Sequence, residues 1–439
     1  MVVQFKHINN NTEIMENPKL ALIPSGYKSG KVYSILPTDG VGDFDYERNG
    51  DASRVNKDGL IEELTVDDTP RLDWLNSDCP SLLLEPQRTN LLTYSQELSQ
   101  WTKQNLTITD NDAISPEGTQ AASKVLETAA NSFHFAYNGV ISAISSTDYS
   151  YSIFVKKLGR QYVGIQTLFN SVKGAIALFD LDNGSLVYTF QQGGHTVNNA
   201  SIENYANDWY KISATFQVND STAVFGLVTA DELWSSGTAY NNAYLGDITK
   251  GVYAFGGQVE QGGYPTSYIK TTGGIVTRQK DFIDGAGSSS LFNSLESTFF
   301  VKMASFLNAQ TNSNGIELTD ISGQNRITIQ YDTVNNQIRG SVIVLNSTQS
   351  IGATQSFDVT NFNKIAITYK LNEFKFYVNG QLILTDTIVN LFAPNTLTEV
   401  RSTIAGISGG AFNLQAKIKD LRVYDRVLTE AEAVKLTTI

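Results

Sequence analysis

The sequence predicts an all-β protein in which an irregular N-terminal region is followed by two β-sandwiches of the jelly-roll type. Alternating apolar and polar residues recur in short segments, as in 149–156, and indicate strands with one buried face. No helical periodicity separates these segments, which favours sandwiches over a sheet covered by helices. The chain has 439 residues, too many for one ordinary core, and its 41% hydrophobic and 10% aromatic residues are enough to fill several.

The first region, residues 1–89, is rich in Asn, Asp, Gly and Pro and shows no sustained periodicity. Its aromatic residues are too numerous for a flexible, solvated tail, which is the alternative interpretation. We therefore expect this region to order only against other chains, either sister subunits or a socket on a larger particle. The candidates for this anchoring and oligomer interface are Tyr27, Tyr33, Trp74, Glu85 and Arg88.

The stretch 82–92 closes the first region and begins the series of strands. Three leucines precede Glu85 and Pro86, and because proline has no N–H, a central strand cannot continue past them. The pattern predicts a buried apolar anchor followed by a fixed corner. The polar residues from Gln87 to Asn90 must then find hydrogen-bond partners in the backbone or in neighbouring groups.

The second region, 90–283, contains a series of predicted strands and forms the first sandwich. In the segment 149–156 the odd-numbered residues are apolar or aromatic and form the predicted buried face. A hairpin turn is predicted at 182–184, because Asn and Gly accept positive φ. The glycine- and serine-rich segment 284–290 is predicted to be a linker to the next domain.

The third region, 291–439, forms the second sandwich. Alternating residues before and after Asn379-Gly380 predict a three-stranded meander with a tight turn at that dipeptide. Near the end, Thr429 and Glu432 have the spacing of a capping box that opens a short helix.

Four segments of the sequence resemble known families. The segment Thr69 to Asp73 and the run 82–91 have the order and spacing found in tailed-bacteriophage fibre and structural proteins. Residues 256–269 resemble the closing strand of the carbohydrate-binding jelly rolls of phage structural proteins, and residues 421–432 resemble laminin-G-like, concanavalin A-like lectin domains. The resemblance implies a virion component and two sandwich folds, and it implies no particular ligand site.

Composition narrows the classes of partner. A net charge of -12 without any run of Lys and Arg argues against nucleic-acid binding and against docking on an anionic membrane. No stretch is apolar for long enough to span a bilayer, and the first residues do not have the pattern of a secretion signal. Cys79 is the single cysteine, which suits assembly in a reducing cytoplasm, and we expect it to be buried.

The sequence offers no catalytic constellation. The three histidines, His7, His134 and His195, stand in unrelated contexts, which argues against a His-based triad or zinc site. No cofactor is predicted. A structural calcium ion remains an alternative at 180–183 or at Asp320, but Asp and Asn are favoured there by the turns themselves.

The loop after the predicted strand 223–228 combines aromatic rings with polar groups, the mixture that binds sugar rings. Its glycan-binding candidates are Trp234, Tyr240, Asn241 and Tyr244. In the competing interpretation these aromatic residues cover the end of the sandwich or face a sister subunit.

Together these features predict a non-enzymatic bacteriophage fibre protein, located in the virion and assembled in the host cytoplasm. The N-terminal region would anchor it to capsid or tail proteins, and the sandwiches would attach to host-surface polysaccharide through many weak contacts. By family analogy we expect a homotrimer. Two alternatives remain: a purely architectural head or tail decoration protein, and a polysaccharide-degrading spike, which needs only two suitably spaced carboxylates.

Overall fold

The computed structural model describes residues 17–170, 173–234, 242–310, 312–405 and 411–439. The chain is nearly all β-structure, as predicted. Two sandwiches dominate it, and a set of short N-terminal strands packs against the second of them.

The N-terminal strands are two to four residues long, because turn-forming Asn, Asp, Gly and Pro interrupt them. They are β1 (Leu20–Leu22), β2 (Tyr27–Lys28), β3 (Lys31–Val32), β4 (Phe44–Glu47), β5 (Ala52–Val55), β6 (Ile61–Leu64), β7 (Leu72–Asp73), β8 (Ser81–Leu84) and β9 (Arg88–Asn90).

The middle sandwich consists of a six-stranded sheet, β11-β12-β24-β16-β21-β20, and a seven-stranded sheet, β10-β14-β22-β17-β18-β19 with β15 on β22. A 3₁₀ turn, Leu98–Gln100, precedes it. Its strands are β10 (Thr102–Gln104), β11 (Leu106–Ile114), β12 (Gln120–Glu127), β13 (Asn131–Ser132), β14 (Phe135–Tyr137), β15 (Ile141–Ser142), β16 (Thr147–Leu158), β17 (Tyr162–Asn170), β18 (Lys173–Asp180), β19 (Ser185–Gln192), β20 (Thr196–Tyr205), β21 (Trp209–Val218), β22 (Thr222–Ala230), β23 (Tyr244–Leu245) and β24 (Gly251–Gln261).

The C-terminal sandwich packs an eight-stranded sheet, β34-β33-β32-β27-β38-β8-β7 with β1 on β38, against a five-stranded sheet, β31-β30-β29-β28-β35. Its elements are β25 (Val276–Arg278), β26 (Phe282–Asp284), β27 (Glu296–Ser305), β28 (Asn314–Thr319), β29 (Arg326–Tyr331), β30 (Ile338–Val344), β31 (Ser347–Thr354), β32 (Asn363–Lys370), β33 (Glu373–Val378), β34 (Gln381–Asp386), β35 (Glu399–Arg401), β36 (Thr403–Ala405), β37 (Ala411–Asn413), β38 (Ala416–Tyr424) and the helix α1 (Glu430–Thr437).

The N-terminal strands complete the C-terminal sandwich. Strands β1 and β8 both pair with β38, along different parts of its length, and β4 pairs with β26. Leu20, Leu22, Leu82 and Leu84 are buried in the same core as β27 and β38. The expectation that the first region orders only against other chains is therefore wrong for its described part: the apolar surface it needs comes from the end of its own chain.

Local sequence patterns predicted several elements correctly. The odd-numbered residues of 149–156 lie in the core of the middle sandwich within β16. The meander is β32, β33 and β34, and Asn379 and Gly380 both have positive φ in its turn. The capping box at Thr429 is formed with Glu432.

Two expectations fail. Cys79 is exposed, because it lies in a loop after Trp74 and not within the leucine strand. The predicted linker 284–290 contains Ala286, which is fully buried and forms a β-bridge with Val400. The domain boundaries remain a prediction. Among the described residues no helix is long and apolar enough to cross a membrane.

Candidate functional site

A buried ionic cluster joins the first region to the end of the second at the corner that the leucine run predicted. The Glu85 carboxylate accepts hydrogen bonds from Arg71 (2.6 Å) and Arg278 (2.7 Å) and from the backbone N–H of Ser267 (2.9 Å). Asp281 accepts from the backbone N–H of Glu85 at 2.9 Å and forms an ion pair with Arg71. These side chains are almost fully buried, so each charge depends on its partners.

The cluster perturbs the acid–base behaviour of its members. Burial acts most strongly to raise the pKa of Glu85, but the guanidinium groups of Arg278 and Arg71 outweigh it and hold that pKa well below its ordinary value. Tyr46 donates to Asp281 at 2.5 Å, and burial, together with that carboxylate, raises the pKa of Tyr46. Glu85 therefore stays ionised and Tyr46 neutral at physiological pH.

Of the polar residues after the corner, Asn90 finds the predicted partners, whereas the buried Nε of Arg88 has none among the described residues. Asn90 donates to the carbonyls of Gly257 (3.2 Å) and Ile269 (2.9 Å), and its carbonyl oxygen accepts from the N–H of Val259 (3.2 Å). These bonds hold the chain of 262–269 beside the cluster, where it lies between the two sandwiches.

Tyr264 occupies that segment and connects the sandwiches. Its ring stacks on Phe306 of the C-terminal sandwich, with 5.3 Å between centroids and 13° between planes. Its hydroxyl donates to the side-chain oxygen of Gln415 at 3.0 Å, and the Arg88 guanidinium lies 5.2 Å from its ring centroid. Tyr264 is buried, whereas Phe306 is half-buried and keeps part of its ring accessible.

A cleft of about 1030 Å³ opens beside this aromatic pair. The wall from the middle sandwich comes from β16, β20 and the segment after β24. The wall from the C-terminal sandwich comes from the loop after β27, a turn between β29 and β30, and the residues before β32. The cleft offers aromatic rings, amides, hydroxyls and carboxylates from Asp148, Asn199, Ser201, Glu203, Tyr264, Phe306, Asn308, Gln310, Asn335, Thr360 and Phe362.

The charges of the cleft are divided between its walls. Asp148 and Glu203 lie on the wall of the middle sandwich, and one carboxylate oxygen of Asp148 is buried without a hydrogen-bond partner among the described residues. Burial raises the pKa of Asp148. Lys417, on the other wall, is already paired with Asp73 at 3.3 Å. Asp148 and Glu203 therefore give the wall of the middle sandwich its negative charge.

An inner pocket of about 200 Å³ lies between the cleft and the ionic cluster. Glu203, Phe306 and Lys417 line both this pocket and the cleft. Lys211 lines this pocket and donates to the carbonyl of Thr266 at 2.8 Å. Burial lowers the pKa of Lys211. The recess is narrow and mixes apolar with charged side chains, which suits a small substituent of a ligand held in the outer cleft.

Two of the four predicted glycan-binding residues, Trp234 and Tyr244, are buried and do not line this cleft. Trp234 is only 3% exposed and packs edge-on against Tyr188, and Tyr244 is 7% exposed and donates to Glu127 at 2.5 Å. Buried rings offer no face to a sugar, so in the described structure both cover the end of the middle sandwich, as the competing interpretation holds. Tyr240 and Asn241 lie outside the described residues.

The anchoring candidates are also dispersed. Tyr27 accepts a hydrogen bond from Arg54 at 2.8 Å, and Trp74 is half-buried near Lys57. Glu85 lies in the ionic cluster and is buried within the chain, which corrects its assignment to an intermolecular surface. Arg88 lies against the ring of Tyr264. Among these candidates Tyr33, which is 37% exposed, is the most accessible to a partner.

The turns considered for calcium use their carboxylates internally. Asp180 accepts from the N–H groups of Asp182 (2.8 Å) and Asn183 (3.3 Å) and from Gln161 (3.0 Å), and Asp320 accepts from Gln324 (3.0 Å). Among the described residues, no group of three or more His, Cys, Asp or Glu side chains is placed to hold a metal ion. These contacts support the turn-forming role of the residues.

Sequence reasoning missed Tyr264, Phe306 and Asp148 as site residues. Tyr264 lies in the segment interpreted as a closing strand, and Phe306 directly follows a core strand. A detectable signal was an aromatic residue beside Gly263 and Pro265, since such a residue projects from a fixed turn. The pairing of Tyr264 with Phe306 was not readable from either segment alone.

Comparisons with known proteins bear on the fold. Residues 297–434 match the family model described as the Concanavalin A-like lectin/glucanases superfamily. No curated protein matches the chain. The match to the family model shows that the chain contains a C-terminal concanavalin A-like domain, as the sequence predicted.

Three solved structures illustrate the partial similarity that a structural comparison finds. The CBM40 of Ruminococcus gnavus IT-sialidase bound to alpha2,3 sialyllactose shares 13% identity over 33% of this chain and 83% of its own, with a TM-score of 0.28. The SAP-like pentraxin from Limulus polyphemus shares 14% identity over 33% of this chain and 71% of its own, with a TM-score of 0.26. The botulinum neurotoxin serotype D binding domain shares 16% identity over 36% of this chain and 40% of its own, with a TM-score of 0.26. TM-scores below 0.5 carry no argument about what this chain binds.

Proposed function

We propose that the protein binds glycan in the cleft between its two sandwiches. The observation that carries this proposal is the half-buried ring of Phe306, fixed by stacking on Tyr264 and surrounded by amide and hydroxyl groups. Sugar rings stack their apolar faces on such rings while their hydroxyls hydrogen-bond to amides and carboxylates. The concanavalin A-like match of residues 297–434 supports a binding module of this kind.

We further propose that this activity serves a bacteriophage fibre protein, located in the virion and assembled in the host cytoplasm. The support is the order and spacing of the segments Thr69 to Asp73 and 82–91. A homotrimer would present three clefts on one particle, and weak contacts at each would combine into strong attachment to a host-surface polysaccharide. Light scattering of the purified chain tests the trimer: a monomer at all concentrations would contradict it.

Polysaccharide cleavage is the second candidate function. Asp148 and Glu203 place two carboxylates on one wall of the cleft, which is the minimum that glycoside hydrolysis requires. We propose binding without catalysis, because the described residues of the opposite wall bring no carboxylate to face this pair, and Lys417 there is paired with Asp73. Release of reducing ends from a bound polysaccharide, abolished by Asp148→Asn, would establish the enzyme instead.

The experiment that tests glycan binding is an array of bacterial surface polysaccharides probed with the full chain. The proposal expects selective binding that is lost in Asn308→Ala, a change to an exposed cleft residue with little effect on stability. The matched control is Asn131→Ala, which alters an exposed asparagine that has no positive φ and does not line the cleft. Absence of binding across the array and on host cells would instead favour a purely architectural role.

A further inference from the structure

A group of positive side chains lies on the outer face of the eight-stranded sheet, beside the cleft. In β27 the residues on either side of Lys302, Val301 and Met303, face the core, so Lys302 faces outward. Lys364 of β32 lies directly opposite Lys302 in the antiparallel register. Like charges in such a cross-strand pair destabilise a sheet. The pair therefore carries a free-energy cost that the fold itself does not require.

A β-bulge adds another cation to this group. The register of β27 and β38 shifts between Lys302 and Met303, and the bulge brings in Lys419 beside Asp420. Bulges re-aim side chains and are common beside functional sites. The ammonium groups of Lys419 and Lys302 lie 4.6 and 5.9 Å from the centroid of the Phe362 ring. Both ammonium groups thus gather at one aromatic residue.

Charge compensation in the group is incomplete. Asp420 forms a two-point hydrogen-bonded pair with Arg422, at 2.9 and 2.7 Å. None of Lys302, Lys364 and Lys419 forms an ion pair with a described carboxylate, although Lys419 donates to Ser77 and Lys364 to a backbone carbonyl. Four cations surround one carboxylate, in a chain whose net charge is -12.

The acid–base behaviour of the lysines agrees with this shortage of negative charge. Burial and then the nearby Lys302 lower the pKa of Lys364, and burial and then Lys302 lower the pKa of Lys419. Asp420 offsets part of this effect on Lys364, but its carboxylate is also bonded to Arg422. An incoming anion would remove the mutual repulsion and gain charge-assisted hydrogen bonds.

The group is continuous with the cleft. Phe362, which both ammonium groups approach, also lines the cleft, and so does Lys417, the next outward residue of β38 before the bulge. A polymer that stacks on Phe306 would therefore reach Lys302 and Lys419 along the same wall. Asp148 and Glu203, on the opposite wall, would repel acidic groups and favour hydroxyls.

We infer that Lys302, Lys364 and Lys419 form a site for an anionic group, a carboxylate or a phosphate, carried by the polysaccharide that occupies the cleft. The identity of the ligand as a polysaccharide rests on the proposed glycan binding. The anion site itself does not depend on that proposal. It names the ligand class: an acidic polysaccharide, in which uncharged parts of the polymer occupy the aromatic cleft and acidic substituents meet the lysines.

The first test uses small anions. Thermal unfolding of the full chain is measured with sodium glucuronate, with inorganic phosphate and with sodium chloride at equal ionic strength. The inference expects glucuronate, phosphate or both to raise the Tm beyond the chloride control in the parent chain but not in Lys302→Gln/Lys419→Gln. If only glucuronate raises the Tm, the group bound by the site is a carboxylate. If only phosphate raises it, the group is a phosphate. If neither glucuronate nor phosphate raises the Tm beyond the chloride control, the inference is overturned.

The second test uses polymers. Binding of an oligogalacturonate is compared with the same oligosaccharide after reduction of its carboxyl groups, and binding of a glycerol phosphate polymer with that of free glycerol. An acidic ligand should bind about tenfold more tightly than its neutral counterpart, and the double variant should lose that advantage. Lys370→Gln, on the same sheet but outside the group, should keep it.

The outcomes separate the two proposals. Equal binding of acidic and neutral oligomers would overturn the anion site while leaving glycan binding in place. A Tm response to small anions without polymer binding would keep the anion site and contradict glycan binding. The double variant should be at least as stable as the parent, because like charges are removed, so a loss of binding would not reflect misfolding.

Discussion

At the scale of single residues, the buried charges at the corner explain how the first region is held to the end of the second. Glu85 and Asp281 each receive hydrogen bonds from arginines and from backbone N–H groups, so every charge is compensated locally. Removal of one member leaves its partner buried and unpaired, which costs more than the pair itself contributes. The predictions at this scale concern the free energy of unfolding.

Asp281→Asn should lower the free energy of unfolding by about 3 to 5 kcal/mol, because buried Arg48 then loses its carboxylate partner and Arg71 keeps only Glu85. Urea unfolding followed by tryptophan fluorescence measures the change. The control is Asp284→Asn, at a half-buried position where burial and then the nearby Asp45 raise the pKa of the carboxyl. That variant should show no loss, and an equal loss in both would contradict the role of the cluster.

Glu85 should make stability depend on pH in the acid range. Its folded-state pKa lies below the ordinary value of 4.5, so its contribution is complete above that value and is lost as pH falls below it. The parent chain should lose stability from pH 5 to pH 3 more steeply than Glu85→Gln, which has no carboxyl to protonate. Urea unfolding at several pH values checks this, and parallel curves for the two proteins would refute it.

At the scale of elements, strand β38 determines how the molecule is assembled. It pairs with β27 on one side and with β1 and β8 on the other, so residues near both ends of the chain share one sheet. Backbone groups at a sheet edge seek partners, and the N-terminal strands satisfy those of β38. The C-terminal sandwich is thereby incomplete without the first region.

Leu22→Ala should destabilise the C-terminal sandwich by about 2 to 5 kcal/mol, since the side chain is fully buried in its core. Its neighbour Ile23 is exposed, so Ile23→Ala should change stability by no more than about 0.5 kcal/mol. Thermal unfolding by circular dichroism compares the two. Equal and small effects would mean that β1 contributes little to the fold.

Sequence patterns predicted the elements whose information is local. The alternation in 149–156, the Asn379-Gly380 turn and the box at Thr429 each depend on neighbouring residues, and all three are found. The pairing of β1 with β38 joins Leu20 to Val423, and no local pattern carries that contact. Trp234 shows the same limit, because an aromatic residue after a strand serves equally as a core residue or as a surface platform.

The candidate site depended on contacts that the sequence does not encode locally. The cleft takes its lining from both sandwiches, and its defining contact joins Tyr264 to Phe306 across their boundary. The lysine group arises from the register of β27, β32 and β38 and from a bulge. A scan for runs of Lys and Arg does not find it, because its members lie on three separate strands.

At the scale of the whole molecule, the first region is part of the folded body and presents Tyr33 to solvent. A chain that begins at Asn90 would lack β1 and β8, leaving one side of β38 unpaired and the leucine core open. We expect this truncated protein to aggregate, whereas the full chain stays dispersed. Size-exclusion chromatography with light scattering compares them. A folded, monodisperse truncated protein would contradict the assembly described here.

The central claim is that glycan occupies the cleft beside Phe306, and titration calorimetry tests it most directly. The ligand is the polysaccharide bound most tightly on the array, and Phe306→Ala is compared with Phe133→Ala, an exposed aromatic residue that does not line the cleft. Loss of the stacking ring should weaken affinity at least about fivefold in the first variant only, with the fold of both verified by thermal unfolding. Unchanged affinity in a folded Phe306→Ala protein would place the ligand elsewhere on the molecule.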